Sequence, residues 1–266
     1  MRVLVACALL ACGSLAQPAW AETLRTNGVE IEYTAIGSGD PLLMIHGFGE
    51  CIDQSWGAII PELSKSYRVI AINQRGHGAS TNPSGKFTHR QSAEDVRSLL
   101  DTLGIKRANA IGFSSGGMTL LHLATRYPDR LSKLVVVGAT THFGEPARRI
   151  MRSVASDGLP PPVREQFLKC AARGAVQADD LTRRFGGFKD SHGDMNFKAA
   201  DLKKIKAQTL IVHGDRDEFF PVAIPVAMYA AIPRSQLWIV PRGDHSPTAG
   251  APRDVFTQTV KSFLSR

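Results

Sequence analysis

The chain has 266 residues, 43% of them hydrophobic and 21% charged, enough apolar material for a full core and too much for a disordered chain. Its 32 Lys/Arg against 24 Asp/Glu give a formal net charge of +8 at pH 7, but the excess is dispersed. No Lys/Arg block and no interleaved aromatics of the kind that grip nucleic acid are present, so composition describes a mildly basic globular protein of one large domain, or of one domain with an insertion.

In chain order, the first residues read as an export signal. Arg2 is a short positive start, Val3 to Ala16 is apolar, and Ala19-Trp20-Ala21 fits a small-x-small cleavage site before Glu22. The apolar run is too short and too early for a membrane span. A lipid attached at Cys12 is a rival reading that leaves a very short signal. The expectation is a signal peptide over residues 1–21, a periplasmic or secreted protein, and no stable membrane insertion once the signal is removed. Beyond the signal only Cys51 and Cys170 remain. Export makes a disulfide between them conceivable, but the reading leans to two buried free thiols. No C-x-x-C occurs, so neither a structural zinc nor a redox pair is expected.

Apolar runs of strand length then alternate with helical stretches. Val29 to Ala35 is expected as the first strand, followed by a turn at Gly37 to Pro41. Leu42 to Ile45, Tyr67 to Ile72, Ala108 to Ile111, Leu134 to Val137, Thr209 to Val212 and Leu237 to Val240 follow. Most are continuous rather than alternating, as in strands buried on both faces of a parallel sheet. Between them, Gln91 to Leu103, Met118 to Arg126 and Arg253 to Leu264 carry apolar residues at helical spacing. Residues 143–206 break the rhythm: they hold no convincing strand, the run Pro160-Pro161-Pro162, and helical pieces such as Val163 to Ala172. The fold class expected is α/β, a doubly wound, mostly parallel sheet with helices on both faces. Residues 22–142 and 207–266 form the core, and 143–206 form a small helical cap. Lys and Arg outnumber Asp and Glu in the cap; the expected reading is solvated helix faces, with attraction of a carboxylate-bearing substrate as the alternative.

The stretch Gly112-Phe113-Ser114-Ser115-Gly116-Gly117 joins a strand to a helix. A serine at so sharp a turn has its hydroxyl exposed at the carboxyl edge of the sheet. Residues two away on either side must be small, because strand and helix pass close together. Ser114 has Gly112 and Gly116 there, whereas Ser115 would need the bulky Phe113. Ser114 is therefore the nucleophile candidate. Such a serine needs an oxyanion hole, a base, and a group to orient the base. The amide of Ser115 at the helix start is one expected donor, and that of Phe48, in His46-Gly47-Phe48-Gly49, the other. Among eight histidines, His245 lies just after the last strand and is the preferred base, with His142 the most serious rival. Asp215, Asp217 and Glu218 compete for the acid; Asp217 is preferred and Asp215 second, since Asp215 is suited to stabilising the turn.

Five motifs together resemble the α/β-hydrolase superfamily from about residue 23 to 266. They are His46 to Gly49, Arg75-Gly76-His77-Gly78-Ala79-Ser80, Gly112 to Gly117, His213-Gly214-Asp215-Arg216-Asp217 with Pro221, and Gly243-Asp244-His245. The resemblance implies serine chemistry with Asp217 as the triad acid. Asn73 stands where many members have Asp, and Ser115 where methionine is common; Ser115 is expected to line the pocket and change its polarity. The implied function is hydrolysis of a small-molecule ester without metal or organic cofactor. Lactone hydrolysis, aminopeptidase-like action and cofactor-free perhydrolysis are alternatives on the same residues. Dehalogenase and epoxide-hydrolase chemistry is disfavoured, because those relatives carry Asp at the position of Ser114. A non-catalytic binding protein of the same fold is the reading from a different class.

Overall fold

The computed structural model describes residues 21–250 and 252–265. The expected signal peptide lies outside the described residues except for Ala21. Eight strands form one sheet: β1 (Ala21–Thr26), β2 (Val29–Ile36), β3 (Pro41–Ile45), β4 (Arg68–Ile72), β5 (Ala108–Phe113), β6 (Leu131–Val137), β7 (Gln208–Gly214) and β8 (Ser235–Val240). Their order is β1-β2-β4-β3-β5-β6-β7-β8. β1 and β2 pair antiparallel, as do β2 and β4, and every other neighbouring pair is parallel.

The continuous apolar runs are explained by the pleat. Successive side chains point to opposite faces, and both faces are covered. Leu43, Ile45, Leu134 and Val136 enter the core on one face, while Leu42, Met44, Val135 and Val137 enter the core on the other. The first core packs under α3 (His89–Thr102) and α4 (Ser115–Arg126); the second packs under α1 (Ile52–Trp56), α2 (Ile60–Leu63) and α10 (Arg253–Ser265). Between β7 and β8 lies α9 (Ala223–Ala231).

The sheet begins earlier than expected. β1 precedes Val29 and is joined to β2 by Asn27 and Gly28, both at positive φ (47° and 75°), as a two-residue hairpin requires. Its Glu22-Thr23-Leu24-Arg25-Thr26 has one apolar side chain and is largely exposed. An edge strand held by its ladder rather than by burial leaves no apolar run to read.

Between β6 and β7 stand α5 (Glu145–Asp157), α6 (Pro161–Cys170), α7 (Gly174–Gly187) and the short α8 (Ala199–Leu202). This segment is tied down at three places. Asp194 accepts hydrogen bonds from the amides of His89 and Arg90 at the start of α3 and from His89 Nδ1, at 2.7 to 3.0 Å. Gln177 Nε2 donates to the carbonyls of Gly76 and Gly78 at 2.7 and 2.9 Å. Cys170, which ends α6, is disulfide-bonded to Cys51, the residue before α1. The expectation of two free thiols is therefore wrong. The cysteines are 119 residues apart in sequence but 5.3 Å apart between Cα atoms, a proximity made by the fold and invisible in spacing.

Candidate active site

β5 delivers Ser114 to the carboxyl edge of the sheet, and α4 begins at the next residue. Ser114 has φ 48° and ψ −113°, a conformation that costs a non-glycine residue free energy and persists only when its surroundings enforce it. They do so through the glycines. A Cβ on Gly112 would lie 2.5 Å from the Gly116 carbonyl carbon, and one on Gly116 would lie 2.2 Å from the Ile45 oxygen. Strand, turn and helix touch at the backbone, and the Ser114 amide donates to the Val137 carbonyl at 2.8 Å.

His245 reaches this serine from the loop after β8. Its Nε2 is 3.0 Å from Ser114 Oγ, and its Nδ1 is 2.9 Å from Asp217 Oδ2. Since the carboxylate only accepts, Nδ1 carries the proton and Nε2 is free to accept from the hydroxyl. Asp217 is fully enclosed, and its other oxygen accepts from the amides of Phe219 and Phe220 at 2.8 and 3.0 Å. Burial pushes its pKa up, but the hydrogen bond and charge of His245 and the Phe220 amide outweigh this and hold it below the usual carboxylate value. Asp215 and Glu218 point elsewhere in function: both are exposed, and Glu218 lines the pocket rim. His142 is also exposed and bridges to Asn196, away from this line of residues.

The loop His46 to Gly49 approaches Ser114 from β3. Neither the Phe48 nor the Ser115 amide is committed to a backbone acceptor among the described residues. The loop is braced by two buried histidines that sequence reading treats only as turn residues. His46 Nε2 accepts from the Gln74 amide at 2.9 Å while Nδ1 donates to the Gly47 carbonyl at 2.6 Å. His77 Nε2 accepts from the Gly49 amide at 3.0 Å. Each accepts a backbone N–H and is therefore neutral. Burial lowers the pKa of His46 to about 4 and that of His77 well below its ordinary value. Gln74, also unforeseen, donates to the His46 carbonyl at 3.0 Å and to Ser115 Oγ at 3.3 Å, and accepts from Ser92 and Thr119. Ser115 is 1% exposed. It borders the cavity, as expected, while its hydroxyl accepts from Gln74 in this buried network.

Above Ser114 opens a cavity of about 370 Å³. Its roof is apolar, with Met151, Val154, Leu159, Val163, Phe185 and Phe188 from the segment between β6 and β7. No Lys or Arg lines it; the charged groups are Glu50, Glu218 and Asp244. Four basic side chains of the segment between β6 and β7 are engaged outside the cavity, Arg164 with Asp179, Lys169 with Glu165, and Arg183 and Arg184 with Asp180. Glu50 is the group the sequence reading missed. It follows Gly49, and no motif marks it. Its carboxyl opens partly to the cavity yet is densely surrounded, and burial raises its pKa, opposed by a hydrogen bond from Ser55 and the charge of His245. Among the described residues no group of three or more His, Cys, Asp or Glu is arranged to hold a metal ion. No helix among them is long and apolar enough to cross a membrane.

Comparison with known proteins places this architecture. A family model described as alpha/beta hydrolase fold matches residues 40–159. A 2-hydroxy-6-oxo-2,4-heptadienoate hydrolase of Pseudomonas putida is 28% identical over 260 residues, covering 90% of this chain and 94% of that protein. A meta-cleavage product hydrolase from Pseudomonas fluorescens superposes with a TM-score of 0.77 at 24% identity, over 92% of this chain and 98% of the other. A thermophilic esterase from Thermogutta terrifontis superposes with a TM-score of 0.74 at 25% identity, over 94% and 98%. The family match covers β3 through α5, the stretch that carries the His46 to Gly49 loop and the Ser114 turn, and the likenesses to whole proteins cover 90% or more of the chain: the chain has the α/β-hydrolase fold.

Proposed function

We propose that the protein is a serine hydrolase that cleaves an ester of an apolar, uncharged small-molecule acid through an acyl-enzyme. The observation that carries this reading is the hydrogen-bonded line from Ser114 through His245 to the enclosed Asp217, placed at the floor of an apolar cavity. His245 Nε2 takes the proton of Ser114 as Oγ attacks the ester carbonyl carbon. The Phe48 and Ser115 amides hold the negative oxygen. His245 then gives its proton to the departing alcohol, leaving Ser114 acylated. A water, deprotonated by the same nitrogen, adds to the acyl carbon and restores Ser114 with release of the acid. Asp217 orients the imidazole and stabilises its charged form.

The cavity lining supports the choice of substrate. The P. putida relative is named for a substrate that is a carboxylate. Here no Lys or Arg lines the cavity, and the Glu218 and Asp244 carboxylates would repel such an anion. The disulfide between Cys51 and Cys170 supports export, since such bonds persist in oxidising compartments.

The test is hydrolysis of p-nitrophenyl butyrate with labelling by a fluorophosphonate. The wild-type protein turns over the ester and is labelled at Ser114; Ser114→Ala does neither. Retained turnover in Ser114→Ala overturns the assignment of Ser114, and absence of both turnover and label on the wild type overturns the reading and leaves a binding protein of this fold.

A further inference from the structure

Beside the main cavity lies a second one of about 100 Å³, room for a fragment of a few non-hydrogen atoms. Glu50, Phe113 and Ser246 line both, so they form the wall between them. The two differ in chemistry. The main cavity is roofed by Met and Phe, whereas the small one is bordered by Gln54, Ser55, Thr248 and the exposed Arg253, and by Trp56, whose buried Nε1 has no acceptor among the described residues.

The wall stands beside His245. His245 protonates the departing alcohol, and both Phe113, with its ring centroid 5.5 Å from that of His245, and Ser246, its chain neighbour, belong to the wall. The Glu50 carboxyl takes hydrogen bonds from the Ser55 hydroxyl and the Gly47 amide, and a carboxyl group has acceptor capacity beyond two. Its remaining acceptor capacity lies beside the path of the alcohol. Arg253 at the cavity edge disfavours a cationic alcohol and leaves neutral O–H donors as the complementary chemistry.

We propose that Glu50 and the small cavity form a polar subsite for the alcohol half of the substrate, so that the preferred ester joins an apolar acid to a diol or triol. The apolar acyl chain lies under the roof, and a hydroxyl of the alcohol donates to Glu50. This rests on the ester-hydrolase reading above.

The experiment compares propyl hexanoate with 2,3-dihydroxypropyl hexanoate, which share the acyl group. The expected kcat/KM for the dihydroxypropyl ester is about tenfold higher, the size of one satisfied hydrogen bond, with the difference carried mainly by KM. In Glu50→Ala the ratio falls to near one. Glu50→Gln, which keeps one carbonyl acceptor, retains part of it. Thr248→Phe, which fills the small cavity and leaves Glu50 in place, also lowers the ratio, and it serves if the Glu50 variants do not fold. A wild-type ratio near one, or variants whose ratio stays at the wild-type value while both esters slow together, overturns the subsite. An enzyme labelled at Ser114 and active on the propyl ester without preference sinks the subsite alone. A protein neither labelled nor active sinks the ester reading and this one with it.

Discussion

Below the cavity, Ser114, His245 and Asp217 are held by backbone. The serine sits in a turn closed by glycine contacts, Asp217 is fastened by two amides, and the oxyanion loop is braced by His46, His77 and Gln74. Above it, Met151, Val154, Leu159, Phe185 and Phe188 present only apolar side chains, on helices tied to the rest by a disulfide, Asp194 and Gln177. Directional hydrogen bonds on the lower side set atomic positions to tenths of an ångström. Non-directional packing on the upper side sets shape and volume, which tolerate substitution. Chemistry is therefore assigned to the lower side and selection of the acyl group to the upper.

The sharpest way to break that division is to perturb one side at a time. Asp217→Asn is expected to lower kcat on a p-nitrophenyl ester by ~10³ to 10⁴-fold with little change in KM, because the amide supports the wrong imidazole tautomer. Met151→Ala in the roof is expected to change the acyl-length preference and KM by about tenfold or less, leaving kcat on short esters near wild type. A roof substitution that lowered kcat as far as Asp217→Asn does would erase the distinction.

The disulfide is where the two sides are joined covalently. Cys51→Ser with Cys170→Ser opens a crosslink spanning 119 residues. It is expected to lower unfolding stability by ~2–4 kcal/mol, read as a shift in urea midpoint, and to raise KM more than it lowers kcat. Equal midpoints for the variant and the wild type would show that packing alone holds the cap.

A smaller effect follows from titration. His46 below the cavity and His122 under the cap are both held neutral by burial, with pKa values lowered to about 4. Their unfolded values lie near 6.5, so the unfolded chain binds more protons between those limits. The stabilisation is complete above pH ~6.5 and is lost as pH falls toward 4, amounting to ~3 kcal/mol for each group. His122 Nε2 donates to the Asp194 carbonyl at 2.8 Å, a bond His122→Gln can keep. That variant is expected to show a shallower fall in urea midpoint between pH 7 and 4.5 than wild type. An unchanged slope would place the acid sensitivity on the lower side alone.

Legibility in the sequence followed the same division. The parallel strands were readable because their buried runs are continuous. Ser114, Asp217, His245, Phe48 and Ser115 were legible as candidates because turn chemistry and motif order are local properties of short stretches. β1 was not, since an edge strand has no apolar run. Gln74 and Glu50 were not, since a single polar residue acquires meaning only from the partners that surround it. Nor was the pairing of Cys51 with Cys170, because separation in sequence carries no information about distance.

By itself the sequence determined the alternation of buried strands and helices and the glycine-framed turn at Ser114, since both depend on interactions between residues a few positions apart. Tertiary structure alone decided which histidine meets that serine, which aspartate meets that histidine, and where the cap is anchored. It also decided that a carboxyl on Glu50 stands between an apolar cavity and a polar one. Those outcomes depend on separate chain segments brought together, His245 and Asp217 from 28 residues apart and His245 and Ser114 from 131, and only burial and hydrogen bonding in the folded chain select them.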